Sequence, residues 1–414
     1  MQPVAEIAKK EAQIQPHYAE AFRCIGSECP DTCCAGWKVL IDRETYQKYQ
    51  ALPDLLPVLQ TKVTLIPGGG EKDFAHFHMV EDRCPCLSAE RLCGIQKEHG
   101  EEYLPRGCAQ FPRSIRVDGK VTKKTLLLSC PEAARMVLLN PKLLEGEGIS
   151  DGSLAGYRHF ILHRRKSSGR EPDLHESLWK LQRFSVVLVN DRRYPMWQRL
   201  FLLGMFCMRL HALSSQRQPE RVPGLLDKYA QMLVNGDLVK LMEGIRGRPA
   251  VQLEVTLKIA QRALQVSRTS SFRGSVDDFL AGISSPDGTG SGGIVAAYEA
   301  ARTQFYEPMM LAHPFLLENY LTNYILQRAF LSFDNPRGIL TDYLILCTHY
   351  VVIRTTLIGI AGRYREQFGA QHVVQLVQGF SKASEHNAVF MEEVAKYISD
   401  SGLNRPGEMA TLCI

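Results

Sequence analysis

Nine of the twelve cysteines in this 414-residue chain lie in its first third, between Cys24 and Cys130. The densest stretch, CIGSECPDTCC (Cys24–Cys34), places four thiols within eleven residues. A chain of this length buries a core large enough to fold without disulfides. Clustered cysteines in such a chain are more typical of metal binding than of a disulfide framework, and metal binding is our main prediction here.

The cysteine spacing leaves the identity of the metal open, because thiolates bind both zinc and iron–sulfur clusters. The pattern is C-x4-C-x3-C-C, a gap of 49 residues, and then C-x-C-x6-C-x14-C-x21-C. It contains neither the repeated C-x2-C knuckles of zinc sites nor the ferredoxin run C-x2-C-x2-C-x3-C-P. The CxxxCxxC motif of enzymes that cleave S-adenosylmethionine is also absent, because Gly36 stands at the position of its third cysteine.

Two other interpretations accompany the metal site. The thiols are alternatively small buried side chains or transient redox groups. His76 and His78 lie two residues apart and hence on one face of a predicted strand, where they are either two further ligands or simply polar surface residues.

Composition and charge indicate a soluble, cytoplasmic protein. Charged residues make up 22% of the chain and the net charge is only +5, without a basic stripe of the kind that follows nucleic-acid phosphates. The first sixteen residues lack the apolar core of a signal peptide. The apolar stretch Tyr343–Gly362 carries His349 and Arg354, so we predict a buried core helix and no membrane span.

The N-terminal part shows short, mixed elements. The stretch WKVLID is typical of a strand, and Asp42 at its end is placed to cap the helix that follows. The stretch KVTLIPGGGEKDFAHFHMV predicts two strands around a glycine-rich turn. Asp118-Gly119 suits a two-residue hairpin turn.

A further helix is predicted after Leu128. Ser129 and Glu132 have the spacing of a capping box, and Pro131 suits the first turn. Cys130 would then lie in that first turn, where backbone N–H groups favour a thiolate.

Helical periods dominate from about Leu154 onward, and Cys207 and Cys347 fall in apolar helical runs where inert, buried thiols are expected. The fold class predicted is therefore mainly α. We expect a small cysteine-rich α+β domain at 1–150 and a larger all-helical domain at 151–414, with a flexible break near 284–293.

Three segments of the cysteine-rich part resemble the bacterial flagellin lysine N-methylase family. They are FRCIGSECPDTCCAGWKVLIDRETYQKY (Phe22–Tyr49), CPCLSAERLCGIQKEHGEEYLPRGCAQFPR (Cys84–Arg113) and LLLSCPEAARMVLL (Leu126–Leu139). The DTCCAGW and SCPEAAR blocks are the more specific parts, whereas a wider group of zinc- or iron-chelating proteins shares only the cysteine rhythm. The helical remainder has the right length for the family but no signature residues.

The resemblance implies the transfer of methyl groups from S-adenosylmethionine to surface lysines of flagellin before the subunit is exported. It also implies an iron–sulfur cluster, 4Fe–4S in type, held by four of eight family cysteines, with zinc as the alternative metal. Cys86 falls where the family commonly has an apolar residue, and is set aside. The eight predicted ligands are Cys24, Cys29, Cys33, Cys34, Cys84, Cys93, Cys108 and Cys130.

No catalytic residue is assigned from the sequence. Candidates for deprotonating or guiding a lysine are Asp31, Trp37, Tyr46, Tyr103 and Glu132, and each also has a structural role open to it, as a cap or a core residue. The G-x-G nucleotide fingerprint is absent, so a methyl donor would need another scaffold. The alternative function is a non-enzymatic metalloprotein, either an electron carrier or a metal-stabilised binding module.

Overall fold

A computed structural model of the protein describes residues 12–14, 16–118, 121–145, 174–236, 239–266, 270–284, 290–333, 335, 337–385 and 387–414. Across these ranges the chain is mainly α-helical, and its short strands all precede residue 127. The predicted fold class is therefore confirmed. The domain boundary predicted near residue 150 lies outside the described residues, and so do residues 285–289 of the break predicted near 284–293. The last four residues of that predicted break belong to the helix Gly290–Ala301.

A three-stranded sheet supports the first cysteine segment. Its strands are β2 (Leu40–Ile41), β3 (Val63–Leu65) and β4 (Ala75–Phe77), in the antiparallel order β2-β4-β3. The two strands predicted around the glycine-rich turn are thus confirmed. Ala75 and Phe77 face the core and are buried, in keeping with the two-residue period of a strand.

Short helices surround this sheet and the cysteine segments. They are α1 (His17–Ala21), α2 (Arg43–Gln50), α3 (Leu56–Lys62), α4 (Gly94–His99), α5 (Arg106–Gln110) and α6 (Pro131–Leu138). Asp42 is the N-cap of α2, as predicted, and its Oδ1 accepts a 2.9 Å hydrogen bond from the backbone N–H of Thr45. This bond satisfies one of the N–H groups that a helix start leaves without a partner.

A second sheet contains the predicted hairpin. Its strands are β1 (Ala12–Ile14), β5 (Arg113–Asp118) and β6 (Val121–Leu126), in the order β1-β6-β5, with β1 parallel to β6. Asp118 pairs with Val121 and is therefore the last residue of β5. This corrects the prediction that Asp118 and Gly119 form the two-residue turn. The turn residues 119 and 120 lie outside the described residues.

The start of α6 corrects one prediction. Its N-cap is Cys130, without a side-chain cap, so Cys130 precedes the first turn and Ser129 is not the cap. Glu132 pairs with Arg135 at 2.6 Å and takes no part in a capping box. The reason is tertiary: the carboxylate of Glu385, from a distant helix, accepts the backbone N–H of Ser129 at 3.2 Å.

The helices of the second part follow the predicted apolar periods. They are α7 (Leu174–Val189), α8 (Met196–Ser215), α9 (Val222–Asn235), α10 (Pro249–Val266), α11 (Ser270–Ile283), α12 (Gly290–Ala301), a π-helix (Arg302–Tyr306), α13 (Glu307–Ala312), α14 (Phe315–Gln327), α15 (Ile339–Tyr364), α16 (Ala370–Ser384), α17 (Ala388–Asp400) and α18 (Pro406–Cys413). Two helix ends are marked by specific residues. Gly236 ends α9 in a left-handed conformation, and Asn387 caps the start of α17.

Helix α15 is the centre of the helical part. Among the described residues, only Ile339–Gln367 has the length and mean hydropathy of a membrane span, and its most apolar window is entirely buried. The predicted buried core helix is therefore confirmed. Its His349 shares a 2.6 Å hydrogen bond with the hydroxyl of Tyr320, and burial lowers the pKa of His349 to about 3, which keeps the imidazole neutral.

Helices α11 and α15 meet at glycines. A Cβ atom on Gly282 would lie 1.7 Å from the backbone oxygen of Gly359, and a Cβ on Gly359 would lie 2.3 Å from the Phe279 ring. Because only a residue without a side chain fits at such distances, these two positions set the separation of the two helices.

The described residues form two hydrophobic cores. The smaller contains residues between Cys34 and Leu104, including Ile41, Tyr49 and Phe77. The larger joins the helical part to Tyr18, Phe22, β6 and α6. The cysteine segments lie along the junction between the two cores, and Cys207, Cys347 and Cys413 are buried in the larger one, as expected for inert thiols.

Candidate metal centre and its cavity

The structure brings the nine N-terminal cysteines into two adjoining groups. The first group is held partly by the backbone: the N–H of Cys84 donates to the carbonyl of Cys34 at 2.7 Å, and the N–H of Gly94 to that of Cys86 at 2.8 Å. Its members are Cys33, Cys34, Cys84, Cys86, Cys93 and Cys108; those of the second are Cys24, Cys29 and Cys130. Residues far apart in the sequence thus meet in space.

Cys93 is central to the first group. The thiol of Cys34 lies in hydrogen-bonding contact with the sulfurs of both Cys93 and Cys33. That contact lowers the pKa of Cys93 to about 6, and it also lowers the pKa of Cys33. Cys93 further interacts electrostatically with Cys84 and Cys108. The thiolate, which is the form that binds metal, is therefore favoured at Cys33 and Cys93. The same hydrogen bonds raise the pKa of Cys34, and burial raises that of Cys108.

Burial has the largest effect on Cys29 and Cys130 of the second group. Burial raises the pKa of Cys130 to about 12, although the backbone N–H groups of Glu132 and Ala133 act in the opposite direction. The helix start therefore favours the thiolate of Cys130, as expected, but burial has the larger effect and keeps the thiol protonated. Burial likewise raises the pKa of Cys29.

Two cavities adjoin these thiols. The larger, of about 300 Å³, is the cysteine cavity, and a smaller one of about 40 Å³ lies beside it. Four cysteines line both of them: Cys33, Cys34, Cys93 and Cys108. Among the described residues, no three His, Cys, Asp or Glu side chains surround a single point as the ligands of one metal ion do.

Cationic side chains line the cysteine cavity. Arg91 donates to the carbonyl oxygen of Pro30 at 2.6 Å, and Arg113 to that of Phe22 at 3.4 Å. Neither guanidinium forms an ion pair with a described carboxylate. Lys382, a third cation on the wall, lies close enough to lower the pKa of Cys33. Such charges favour the thiolate form of nearby cysteines.

One face of α16 holds two cysteine segments in place. Lys382 donates to Asp31 Oδ2 at 2.7 Å and to the carbonyl of Thr32 at 3.1 Å. Gln378 donates to Asp31 Oδ2 and to the carbonyl of Ser129, both at 2.9 Å. Glu385 accepts from the backbone N–H of Ser129 on the other side. Residues spaced by four and three share a helix face, which is why a single helix contacts both segments.

Replacing Lys382 with methionine should loosen the Cys29–Cys34 segment. The ammonium is largely buried and the Asp31 carboxylate is about a quarter exposed, so its loss should lower the free energy of unfolding by about 1–2 kcal/mol. Hydrogen exchange in residues 29–34 should rise. Lys258, an exposed lysine paired with Glu254, is the matched control, and its methionine variant should match the wild type. Equal exchange in both variants would refute the anchoring role.

The sequence candidates for catalysis have structural partners. Asp31 is held by α16. The indole N–H of Trp37 donates to the carbonyl of Cys33 at 2.6 Å, and its ring lines the cysteine cavity. Tyr46 packs edge-on against Phe74 in the small core. The backbone oxygen of Tyr103 accepts from the hydroxyl of Tyr49, and Glu132 is occupied by Arg135. Of these five candidates, only Asp31 and Trp37 line the cysteine cavity.

The histidine pair lies apart from the thiols. His76 is on the face of β4 opposite the buried Ala75 and Phe77, and His78 is exposed. The hydroxyl of Thr64 hydrogen-bonds to His78 Nε2. Cys86, in contrast, lies within the first group, where its thiol contacts Cys84.

Known proteins resemble this chain along most of its length. A family model for the FliB lysine N-methylase C-terminal domain matches residues 182–412. A Lysine-N-methylase of Salmonella typhimurium is 23% identical over 402 residues, which is 94% of each protein. The Flagellar biosynthetic protein FliU of Salmonella muenchen is 32% identical over 164 residues, 38% of this chain and 92% of that protein.

A second Lysine-N-methylase matches a shorter part of the chain. A Lysine-N-methylase of Salmonella choleraesuis is 31% identical over 140 residues, 32% of this chain and 34% of that protein. No solved structure matches. Because the family model spans more than half of the chain, this protein belongs to the FliB lysine N-methylase family.

Proposed function

We propose that this protein is a cytoplasmic methyltransferase that transfers methyl groups from S-adenosylmethionine to surface lysines of flagellin. We further propose that a 4Fe–4S cluster is held by four of the eight family cysteines. The observation that carries the proposal is the family match over residues 182–412, together with similarity along 402 residues to a Lysine-N-methylase.

The donor set supports the iron–sulfur part of the proposal. Thiolates are the usual ligands of such clusters, and the cysteines here surround a cavity that several of them share. Three of these thiols already converge, because Cys34 contacts the sulfurs of both Cys33 and Cys93. Cys33, Cys34, Cys93 and Cys108 are the four that line both cavities, and we propose them as the ligands.

The surroundings of the cysteine cavity suit a lysine substrate in two respects. A lysine amine must be neutral to accept a methyl group, yet its free pKa is about 10.4. An amine entering here would lose water against Phe22, Trp37 and Phe111, and it would approach the charges of Arg91 and Arg113. Desolvation and like charges both favour the neutral amine. When bound, S-adenosylmethionine supplies the methyl group on a sulfonium, and the cavity must align that group with the amine.

Methylation of flagellin by the purified protein tests the function. The protein is prepared without air, its iron, sulfide and zinc are quantified, and it is mixed with flagellin and S-adenosylmethionine. We expect methyl-sized mass increases on flagellin lysines and near-stoichiometric iron and sulfide. Omission of S-adenosylmethionine should abolish every increase.

Other outcomes would select other functions. A reversible absorbance change with donor and acceptor proteins, without any methylation, would identify an electron carrier. Zinc as the sole metal would contradict the cluster and leave the methyltransferase proposal standing. Absence of methylation by protein that contains its full complement of iron and sulfide would contradict the methyltransferase itself.

A further inference from the structure

A further cavity lies within the helical part, away from the cysteine-rich segments. It has a volume of about 390 Å³ and lies between the start of α8, the π-helix, α13, α14, α15 and the end of α18. None of its lining residues lines the cysteine cavity. A volume of this size accommodates a small molecule. The π-helix Arg302–Tyr306 on its wall is a rare element that recurs at functional sites in proteins.

Arg354 on the wall of this cavity has a buried charge without a described carboxylate partner. The residue is only 6% exposed, its Nη1 has no hydrogen-bond partner among the described atoms, and its guanidinium lies 5.8 Å from the centroid of the Tyr306 ring. No described carboxylate forms an ion pair with it. A guanidinium keeps its proton even when buried, so this charge persists. A buried charge without a partner costs several kcal/mol, which an anion in the cavity would offset.

The neighbouring groups do not supply that anion. Both carboxylate oxygens of Glu318 are taken by Arg192 and Arg199, each at 2.7 Å. Glu307 lies 3.7 Å from Arg302. The phenols of Tyr306 and Tyr350 line the cavity, but burial raises the pKa of both, to about 12 for Tyr350, so they remain neutral.

We propose that this cavity binds a small organic anion whose acidic group pairs with Arg354. The aromatic rings of Trp197, Tyr306 and Tyr350 on the same walls fit a ligand with an apolar or aromatic body. A carboxylate and a phosphate share the planar or forked oxygens that a guanidinium recognises. The site is independent of the proposed methyl transfer and does not require it.

Three probes of one shape test the proposal. Benzoate and phenyl phosphate carry an anion on an aromatic ring, and benzamide is the neutral counterpart of benzoate. Dissociation constants are measured for the full chain by ligand-observed NMR. We expect at least one anion to bind roughly 10- to 100-fold more tightly than benzamide, since a charge-assisted pair contributes that much. The tighter anion identifies the class, carboxylate or phosphate.

Variants connect the binding to the cavity. Arg354→Gln should remove the preference for the anion and should melt no lower than wild type without ligand, because it removes an unpaired buried charge. Met310→Trp, a half-buried rim position, should fill the cavity and weaken all three probes. Arg262→Gln, an exposed arginine elsewhere, should leave binding unchanged. Anions that bind no better than benzamide, or a preference that survives in Arg354→Gln, would overturn the proposal.

Discussion

Replacing Cys93 with serine should remove most of the bound iron and sulfide and abolish methylation. Cys93 contacts or interacts with Cys33, Cys34, Cys84 and Cys108, so its loss affects most of the thiols in the first group. Loss of a partner of a metal ligand weakens metal binding by about 10- to 100-fold, and loss of a ligand should cost more. Metal content, measured after preparation without air, is the primary measurement.

The matched control for this variant is Cys86→Ser. Cys86 lies in the same group and contacts Cys84, but the family pattern sets it aside. This variant should retain iron and activity. Hydrogen exchange adds a second measurement: because metal binding and folding are coupled, Cys93→Ser should lose protection in residues 24–130 before the helical part does. Equal iron in Cys93→Ser and wild type would refute the assignment of Cys93 as a ligand.

Substitution of Gly282 by alanine should destabilise the helical part strongly. The new methyl group would lie 1.7 Å from the backbone oxygen of Gly359, which is atom overlap that no side-chain rotation relieves. Helices α11 and α15 would have to separate, and overpacking on this scale costs about 3 kcal/mol or more. Chemical denaturation measures the loss directly as a lower free energy of unfolding.

Gly274 offers a control on the same helix. A Cβ atom there would contact nothing within 4 Å. Gly274→Ala should therefore raise the free energy of unfolding by about 0.5–1 kcal/mol, because alanine is the better helix former. If both variants changed stability by the same amount, the contact between α11 and α15 would not determine their separation.

Local signals accounted for much of the N-terminal fold. Asp42 caps α2 because its partner Thr45 lies three residues away, and the β3–β4 pair follows from adjacent segments. The capping prediction for Ser129 failed because Glu385, 256 residues later in the chain, takes the N–H group. A propensity rule contains no information about such a distant competitor.

Some residues of the candidate site were likewise predictable from local sequence, and others were not. The cysteines are recognisable from the sequence, since thiols at that density are rare without a metal or redox role. Lys382 and Gln378 were missed, because each looks like an ordinary polar residue on an amphipathic helix and its partner is far away. Arg354 was read only as evidence against a membrane span. Its position on a cavity wall depends on how six separate elements pack.

The contact between Asp31 and Lys382 joins residues 351 positions apart. A ribosome adding about 5–20 residues per second therefore needs roughly 20 to 70 s between making the first partner and making the second. Throughout that interval the thiols of Cys24–Cys34 have been synthesised but lack their anchor on α16. The Cys24–Cys34 segment can therefore be fixed in its folded position only after Lys382 has been translated.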